Sequence, residues 1–428
     1  MKLFPFAAAA LAAMIACGSA AAQANGPDAA VQQAAAAQKQ PLLDTLKDLV
    51  GIETGSRDYE GLTRSAELIA AKLRALGGQV EVIEPQEATT YRMADTPPKI
   101  GRMVRATFQG TGSKRILLLA HMDTVYLKGM LAKQPFRIDG NRAYGLGIAD
   151  EKQGVALALH TVALLKALHF QDYGTLTVLV NGDEEISSPG SRSTITETAS
   201  RQDAVLSFEA TRIDNEKLSL ATSGIGAVQI HVEGRASHAG GAPERGVNAL
   251  YELSHQVLQM RDLSNPDTGV KMNWTIAQAG TNRNVIPADA KAEADVRVLR
   301  VADYDGLEAT VRERAKQQLL PEAKVTVKFE RRRPPLEATD ASRRLAAQAQ
   351  AIYGEVGRKL EVVDRAEGGG TDAAFAALQT KAPVIEHFGL PGYGAHSAND
   401  EYVLVDAIEP RLYLVARVVM DVAKGKGL

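Results

Sequence analysis

Residues 121–124, His-Met-Asp-Thr, place a histidine and a carboxylate two positions apart, directly after the apolar run 116–120. Side chains alternate along a strand, so His121 and Asp123 lie on one side of the chain at the carboxyl end of a predicted buried strand. Open α/β sheets bind ligands at that end. An imidazole beside a carboxylate suits a zinc ligand and the group that orients it. A polar strand end without metal is the alternative when this motif is taken alone.

A second candidate is Asp150, which follows the Gly-Leu-Gly turn at 145–147. Glycines on both sides of Leu146 allow a tight turn that brings Asp150 to the same sheet edge. A carboxylate has two oxygens and can therefore bridge two cations. Capping of the following helix is an equally good interpretation of Asp150 alone.

Three acids, Asp183, Glu184 and Glu185, follow the apolar run 176–180. Adjacent carboxylates repel one another, so this cluster costs stability unless a cation or a functional proton compensates. If it is a site, one glutamate binds metal and its neighbour stays free as a general base toward a metal-bound water. A solvated surface loop is the alternative.

Two more residues complete a candidate ligand set. Glu209 follows the apolar strand 205–207, and His396 follows the turn-rich stretch 391–394. Two histidines and three carboxylates, each placed after a strand or a tight turn, suit a pair of zinc ions with oxygen and nitrogen ligands. The single cysteine, Cys17, lies in an N-terminal segment that we expect to be removed, so sulfur ligands are not expected.

The elements that must position these residues form a predicted α/β layer structure. Apolar residues at helical spacing predict helices, and short apolar runs predict buried central strands. The predicted helices lie at 42–50, 61–76 and 154–168, and the predicted strands at 116–120, 176–180 and 204–206. The polar, alanine-rich stretch 32–40 is expected to be a spacer before the first helix.

From about residue 224 the pattern changes to strand, helix, two strands, helix, strand, which indicates a small α+β module inserted in a larger domain. Because 428 residues exceed what one hydrophobic core supports, two domains are expected. The predicted catalytic domain comprises 25–222 and 335–428, and the inserted domain comprises 223–334. For the arginines at 331–333 a solvated hinge is favoured over a substrate role.

The N-terminus has the parts of a secretory signal peptide. Lys2 precedes an apolar alanine-rich run, and the small residues at 20–24 contain an A-x-A cleavage site. We therefore expect residues 1–24 to be removed and the mature chain to be periplasmic or secreted. Lipid attachment at Cys17 fits this layout less well.

The overall composition excludes some classes of partner. The chain is 45% hydrophobic and 23% charged, with a formal net charge of -2. These values are ordinary for a globular protein. The slightly negative net charge gives no indication of binding to nucleic acid. No second apolar run has the length of an integral membrane span, so none is expected.

The ordered set of motifs resembles the M20 family of zinc peptidases over nearly the whole mature chain. The motifs lie at 121–124, 145–150, 183–185, 207–209, 236–240, 369–372 and 396–397. Longer stretches at 121–129 and 218–225 are similar to the bacterial glutamate carboxypeptidases of that family. The resemblance implies an α/β fold with a mixed-sheet catalytic domain. It also implies an inserted ferredoxin-like α+β domain, 223–334, that serves as a lid and through which two subunits form a homodimer.

The resemblance also implies two Zn²⁺ ions per subunit and a division of roles among the candidates. The implied ligands are His121 and Glu209 for one ion, Glu185 and His396 for the other, and Asp150 as the bridge. Asp123 would orient His121, and Glu184 would be the general base.

In the inserted domain, the resemblance implies that His238 polarises the scissile carbonyl, assisted by Asn284, and that Arg297 anchors a substrate carboxylate. An arginine fork matches a carboxylate, and a histidine donor stabilises a developing oxyanion, so these roles are physically reasonable. Outside the family context, a structural histidine is favoured for His238 and a surface residue for Arg297.

The predicted function is a secreted di-zinc metallocarboxypeptidase that hydrolyses the amide bond to a C-terminal amino acid, with glutamate preferred. Its substrate would be a small-molecule amide or a peptide. Within the same family, an N-acyl amino-acid hydrolase with another preference is the alternative. A non-catalytic periplasmic binding protein is the alternative from a different class, and Glu184 argues against it because pure binding has no use for a spare base.

Overall fold

The structure is a computed structural model that describes residues 26–397 and 400–428. The predicted signal peptide at 1–24, including Cys17, lies outside the described residues. Within the described part of the chain, every helix is too short or too polar to cross a membrane.

The described chain alternates helices and strands before and after a mainly antiparallel module. The helices are α1 (Ala29–Val50), α2 (Tyr59–Ala75), α3 (Gln153–Ala167), α4 (Arg192–Ala199), α5 (Ala249–Gln259), α6 (Val301–Arg314), α7 (Asp340–Glu355), α8 (Ala373–Ala377) and α9 (Ile408–Ala423). The strands are β1 (Gln79–Ile83), β2 (Met103–Gln109), β3 (Arg115–His121), β4 (Arg137–Asp139), β5 (Arg142–Tyr144), β6 (Thr175–Asn181), β7 (Ala204–Ser207), β8 (Thr211–Arg212), β9 (Lys217–Ser219), β10 (Gly224–Glu233), β11 (Lys271–Ala279), β12 (Asp289–Val298), β13 (Lys324–Arg333), β14 (Glu361–Val363), β15 (Val384–Ile385), β16 (Pro391–Tyr393) and β17 (Tyr402–Leu404).

The larger unit is built on a mixed sheet with the strand order β1-β2-β6-β3-β7-β15. Strand β3 runs parallel to β6 and β7, whereas β2 pairs antiparallel with β6. Helices α1, α3 and α9 pack together on one face, and α4 and α8 cover the other. Because both faces are covered, the central strands are almost continuously apolar, and the sequence prediction of three buried strands is confirmed.

Helix α1 begins earlier than predicted. The stretch 32–40, expected to be a spacer, is helical, so that expectation is wrong. Alanine is the best helix former, and the Asp28 side chain caps the helix by accepting hydrogen bonds from the Ala30 and Val31 amides at 3.1 and 3.2 Å. Val31 and Ala35 then continue the buried face of the helix toward its N-terminus.

The smaller unit has its own sheet, with the order β11-β12-β10-β13 and antiparallel pairing throughout. Residues alternate between buried and more exposed along β10 and β12, because one face of the sheet packs against α5 and α6 around a separate apolar core. The predicted order of strand, helix, two strands, helix, strand is observed over Gly224–Arg333. This arrangement is the expected ferredoxin-like α+β module.

The register of the large sheet sets the place of the candidate site. His121 at the end of β3 pairs with Asn181 at the end of β6, and Leu119 pairs with Ser207 at the end of β7. The three parallel strands therefore end at one edge of the sheet. The side chains that follow them are brought together there, as expected for an open α/β sheet.

Candidate active site

The two candidate histidines meet the candidate carboxylates at this sheet edge. His121 Nε2 lies 3.2 Å from Asp150 Oδ1 and 3.4 Å from Glu209 Oε1. His396 Nε2 lies 3.1 Å from Asp150 Oδ2 and 3.3 Å from Glu185 Oε2. The two oxygens of Asp150 thus face different histidines, which is the placement that a bridging carboxylate requires.

The donor atoms form two groups that fit metal ions. In each group one donor atom per residue lies within 4.8 Å of the others: His121, Glu184 and Glu209 in one, and Asp150, Glu185 and His396 in the other. Among the described residues, the buried His121 Nε2 has no hydrogen-bond partner. A histidine nitrogen that faces carboxylate oxygens without a hydrogen bond, in an oxygen and nitrogen donor set, fits a pair of metal ions.

Burial and mutual repulsion act on the same carboxylates. Burial, with the neighbouring Asp150 carboxylate adding to it, raises the pKa of Glu185 to about 7 and that of Glu209 to about 8. A bound cation would oppose this effect by favouring the ionised forms. The cluster is therefore costly for the protein alone and suited to cations.

Asp123 connects His121 to the segment that carries Glu184 and Glu185. Its carboxylate is fully buried and lies 3.4 Å from His121 Nδ1. It also accepts hydrogen bonds from Ser56 Oγ at 2.7 Å and from the amides of Glu184 and Glu185 at 2.9 and 3.1 Å. Asp123 therefore holds both the His121 ring and the backbone that carries the two glutamates.

Glu401 positions the turn before Asp150. This buried carboxylate accepts hydrogen bonds from the Gly147 amide at 2.9 Å and from the Asp150 amide at 3.0 Å. Gly147 has a φ of 70°, a left-handed conformation that glycine adopts without steric cost. Glu401 is not predicted from the sequence, since a lone acid far along the chain carries no local signal.

Arg333 contacts Glu184, the candidate general base. Its guanidinium bonds the Glu184 carboxylate, donates from Nη2 to the Glu184 carbonyl oxygen at 2.6 Å and lies 3.4 Å from Asp372 Oδ1. Arg333 is only 2% exposed. The expectation of a solvated hinge at 331–333 is therefore wrong for Arg333, because two buried carboxylates give its charge partners inside the protein.

Other acids beside the site were also missed. Glu151 is buried with Oε2 at 3.2 Å from His121 Nε2. Glu386 is buried and accepts a hydrogen bond from the Glu209 amide at 3.2 Å. Burial raises the pKa of both carboxyl groups. A bound cation would favour the ionised forms of these two acids, as it would for the candidate ligands.

The cluster opens into a cavity of about 410 Å³. The carboxylates form one part of its lining, and Arg212, Lys217 and the glycine pair 369–370 form another. The Lys217 side chain is 7% exposed and pairs with Glu367. Acidic and basic groups therefore face the same cavity.

The predicted residues of the small unit are placed differently. His238 is exposed, and its Nδ1 accepts hydrogen bonds from the Gly240 and Gly241 amides at 3.1 and 3.0 Å. The Asn284 carbonyl oxygen accepts a hydrogen bond from the Ala239 amide at 2.9 Å, so His238 and Asn284 belong to paired loops. Neither His238 nor Asn284 is among the described residues that line the cavity.

Arg297 lies closer to the cavity. It pairs with Asp295 through Nε and Nη2 at 3.0 and 3.1 Å, and its Nη1 donates to the Gly368 carbonyl oxygen at 3.0 Å. Gly368 adjoins the glycine pair of the cavity lining. The structure thus brings Arg297 to the glycines 368–370 beside the cavity, while its charge is paired with Asp295.

Comparisons with known proteins agree with this geometry. The chain is 48% identical over 419 residues to carboxypeptidase G2 from Pseudomonas sp. (strain RS-16), and the match covers 98% of each protein. The solved structure of aminopeptidase PepT from Bacillus cereus has a TM-score of 0.71 at 22% identity, covering 90% of this chain and 99% of that one. A dinuclear metal-binding peptidase of the M20 family from Bacillus subtilis has a TM-score of 0.61 at 16% identity, covering 91% and 99%.

The family assignment follows from the extent of the match. Residues 117–421 match the family described as peptidase family M20/M25/M40. This region contains all of the candidate ligands as well as the inserted module. The chain therefore belongs to peptidase family M20/M25/M40 and is a metallopeptidase.

Proposed function

We propose that this protein is a di-zinc carboxypeptidase that hydrolyses the amide bond to a C-terminal amino acid and prefers glutamate. The observation that carries the proposal is Asp150, whose two oxygens face His121 and His396 at 3.2 and 3.1 Å. The preference for glutamate is supported by the 48% identity to carboxypeptidase G2. We further propose that residues 1–24 direct the chain to the periplasm or the medium.

The residues that would hold the ions are those brought together at the sheet edge. They are His121 and Glu209 for one ion, Glu185 and His396 for the other, and Asp150 between the two. When bound, zinc supplies Lewis acidity and lowers the pKa of a water to about 7. Asp123 holds the His121 ring in place, because His121 Nδ1 bonds its carbonyl oxygen at 3.1 Å and lies 3.4 Å from its carboxylate.

Glu184 is suited to move the proton. Its carboxylate lies within 4.8 Å of the donor atoms of His121 and Glu209, so it adjoins the ion that those two residues would hold. It would accept a proton from the attacking water and pass it to the leaving nitrogen, which would release the amino acid. Arg333 keeps the carboxylate oriented through its contacts with the Glu184 side chain and carbonyl oxygen.

The basic side of the cavity is suited to the released amino acid. Lys217, which pairs with Glu367, and Arg212, which pairs with Asp214, line the same cavity as the carboxylate cluster. Arg297 bonds the Gly368 carbonyl oxygen beside that cavity. A cation that faces a substrate carboxylate favours a free C-terminus over an internal peptide bond. This arrangement supports the release of a C-terminal residue that carries carboxylates.

The small unit, 223–334, would act as the lid and the dimerisation domain. His238 and Asn284 would stabilise the developing oxyanion, and Arg297 would anchor a substrate carboxylate. Because His238 does not line the cavity of its own chain among the described residues, this role requires either a movement of the small unit or a histidine from a second subunit.

The proposal is tested by assaying amino-acid release from a panel of N-acyl amino acids with zinc-loaded protein and its Glu184→Gln variant. We expect release of glutamate and a loss of about 10²- to 10⁴-fold in the variant, with both zinc ions retained. Release of a different amino acid would favour the N-acyl amino-acid hydrolase. Zinc binding without turnover of any amide would favour the binding protein.

A further inference from the structure

The turn that carries Asp150 is built around the fully buried carboxylate of Glu401. Glu401 Oε1 accepts hydrogen bonds from the Ala149 and Asp150 amides at 2.8 and 3.0 Å. Glu401 Oε2 accepts from the Gly147 amide at 2.9 Å and from the Tyr126 hydroxyl at 2.5 Å. A carboxylate offers about four acceptor positions, so these donors use its full capacity.

Hydrogen bonds, and not an ion pair, hold the charge of Glu401. Among the described residues, its partners are backbone amides and a hydroxyl, and no lysine or arginine pairs with it. Lys152, at the end of the same turn, donates instead to the Ile52 carbonyl oxygen at 2.8 Å. Burying a carboxylate without a cation costs free energy. A role in positioning the turn accounts for this cost better than a contribution to stability does.

Tyr126 extends these contacts to the segment of His396. Its buried hydroxyl lies 2.5 Å from Glu401 Oε2 and 3.1 Å from the Ser397 carbonyl oxygen, so both oxygens face one hydroxyl proton. His396 has a φ of 64°, a left-handed conformation that residues with a side chain seldom adopt. The surrounding contacts must therefore hold this segment in place.

The ligands implied for the other ion have separate support. His121 ends β3, and its Nδ1 bonds the Asp123 carbonyl oxygen at 3.1 Å. The Glu209 amide donates to the buried Glu386 carboxylate at 3.2 Å. The contacts of Glu401 therefore act on the two implied ion positions unequally.

We propose that Glu401 is a positioning residue for one of the two ions, the ion that Glu185 and His396 would hold. It fixes the bridging Asp150 through the backbone of the turn, and it fixes the segment of His396 through Tyr126. The inference rests on the proposed pair of zinc ions. Groups that support metal ligands from behind change the metal affinity by about 10- to 100-fold when they are replaced.

The test measures Zn²⁺ binding to the metal-free wild type and to the Glu401→Gln variant by competition with a coloured chelator. Glutamine keeps the shape of the side chain, but its amide group replaces one acceptor oxygen with a donor. We expect the wild type to bind two zinc ions. In Glu401→Gln the weaker dissociation constant should rise by about 10- to 100-fold, and the tighter one should change by less than about threefold.

A second variant, Tyr126→Phe, removes only the hydroxyl and keeps the aromatic packing. Losing one hydrogen bond should raise the weaker dissociation constant by about three- to tenfold. This variant tests the proposal even if Glu401→Gln folds poorly.

His396→Ala assigns the affected ion, because it removes a ligand of one position directly. Adding Glu401→Gln to His396→Ala should change the affinity of the remaining ion by less than about threefold, since the two substitutions act on the same position. A loss as large as in the wild-type background would show that Glu401 acts on the other ion.

Glu216→Gln is the matched control for a general loss of stability. Glu216 is also a largely buried glutamate, and it accepts from the Tyr353 hydroxyl at 2.6 Å and pairs with Arg411 at 2.8 Å. It belongs to neither group of candidate metal donors among the described residues. This variant should lower the thermal midpoint and leave both zinc dissociation constants unchanged.

Equal weakening of both ions by Glu401→Gln, wild-type affinity for both, or a wild type that binds a single ion would overturn the inference. Amide turnover by the same preparations separates it from the proposed function. A wild type that binds two ions without hydrolysing any amide, and loses one of them selectively in Glu401→Gln, would reject hydrolysis and keep the positioning role. Hydrolysis by the wild type with unchanged zinc binding in Glu401→Gln would keep hydrolysis and reject the positioning role.

Discussion

The side chain of Arg333 connects the end of β13 to the candidate catalytic base. Its backbone belongs to the small unit, where the Arg333 carbonyl oxygen accepts a hydrogen bond from the Tyr304 hydroxyl at 2.6 Å. Its guanidinium lies in the larger unit between Glu184 and Asp372. One arginine therefore neutralises buried acids and also links the site to the point where the chain passes from the small unit back to the larger one.

Replacing Arg333 with alanine should reduce both stability and turnover. Removing one partner of a buried ion pair leaves a charge without compensation, which costs about 3–5 kcal/mol. We expect a lower thermal midpoint and a kcat at least about tenfold lower, since Glu184 loses the contact that orients it. Zinc content, measured on the purified variant, should be unchanged because Arg333 is not a candidate ligand.

The Arg333→Lys variant is the control for charge alone. Lysine keeps the positive charge but cannot contact the Glu184 carboxylate and carbonyl oxygen with one planar fork. The thermal midpoint of Arg333→Lys should be closer to the wild-type value than its kcat is. Full kcat in Arg333→Ala would show that Glu184 needs no positioning by this residue.

At the scale of elements, the contact between α1 and α3 carries a buried histidine. His160 on α3 bonds Thr45 Oγ1 at 2.9 Å and Gln38 Oε1 at 2.8 Å, both on α1. Burial lowers the pKa of His160 to about 4, because the charged imidazolium is disfavoured there. The packing of α1 on α3 therefore depends on a neutral imidazole.

This contact predicts a pH dependence of stability. The unfolded chain takes up the His160 proton near pH 6.5 and the folded chain only near 4, so stability is complete above pH 6.5 and falls as the pH is lowered toward 4. The contribution lost between pH 7 and pH 5 is about 2 kcal/mol. Urea unfolding of the wild type and His160→Gln at both pH values measures it.

The His160→Gln variant should show the smaller loss of stability between pH 7 and pH 5. His231→Gln is the matched control, because His231 lies on the exposed side of β10 and pairs with Asp289. An identical pH dependence in wild type and His160→Gln would contradict the prediction.

At the scale of the whole molecule, the small unit has an apolar surface on α5 and its edge strand β11. Leu250, Tyr251 and Leu258 on α5 are 41%, 61% and 58% exposed, and Ile276 on β11 is 51% exposed. An edge strand with unpaired backbone groups beside an exposed apolar helix face is suited to pairing with a second copy. This surface supports the proposed homodimer through 223–334.

The dimer is tested by the double substitution Tyr251→Asp and Leu258→Asp. Charges buried at an apolar interface oppose association, so the variant should sediment as a monomer where the wild type sediments as a dimer. Leu378→Asp is the control, because Leu378 is 47% exposed and lies in the larger unit, outside 223–334, so it should leave the dimer intact. A dimer that survives the double substitution would place the interface elsewhere.

The sequence alone determined the central strands, the order of elements in the inserted module and the set of residues at the sheet edge. Buried strands are short apolar runs, and the polar residues that follow parallel strands must share one edge, so this information is local. His121 and Glu185 were found in this way, and Asp150 was found from the glycine turn that precedes it. The start of α1 was missed because a polar helix with one narrow buried face carries a weak signal.

Only the tertiary structure decided which distant side chains support those residues. Arg333 bonds Glu184 across 149 positions, and Glu401 bonds the Asp150 amide across 251 positions. Neither contact has a local pattern, because an isolated charged residue looks the same on the surface and in the interior. Its burial depends on which partners the fold brings within reach, and that is a property of the packed chain.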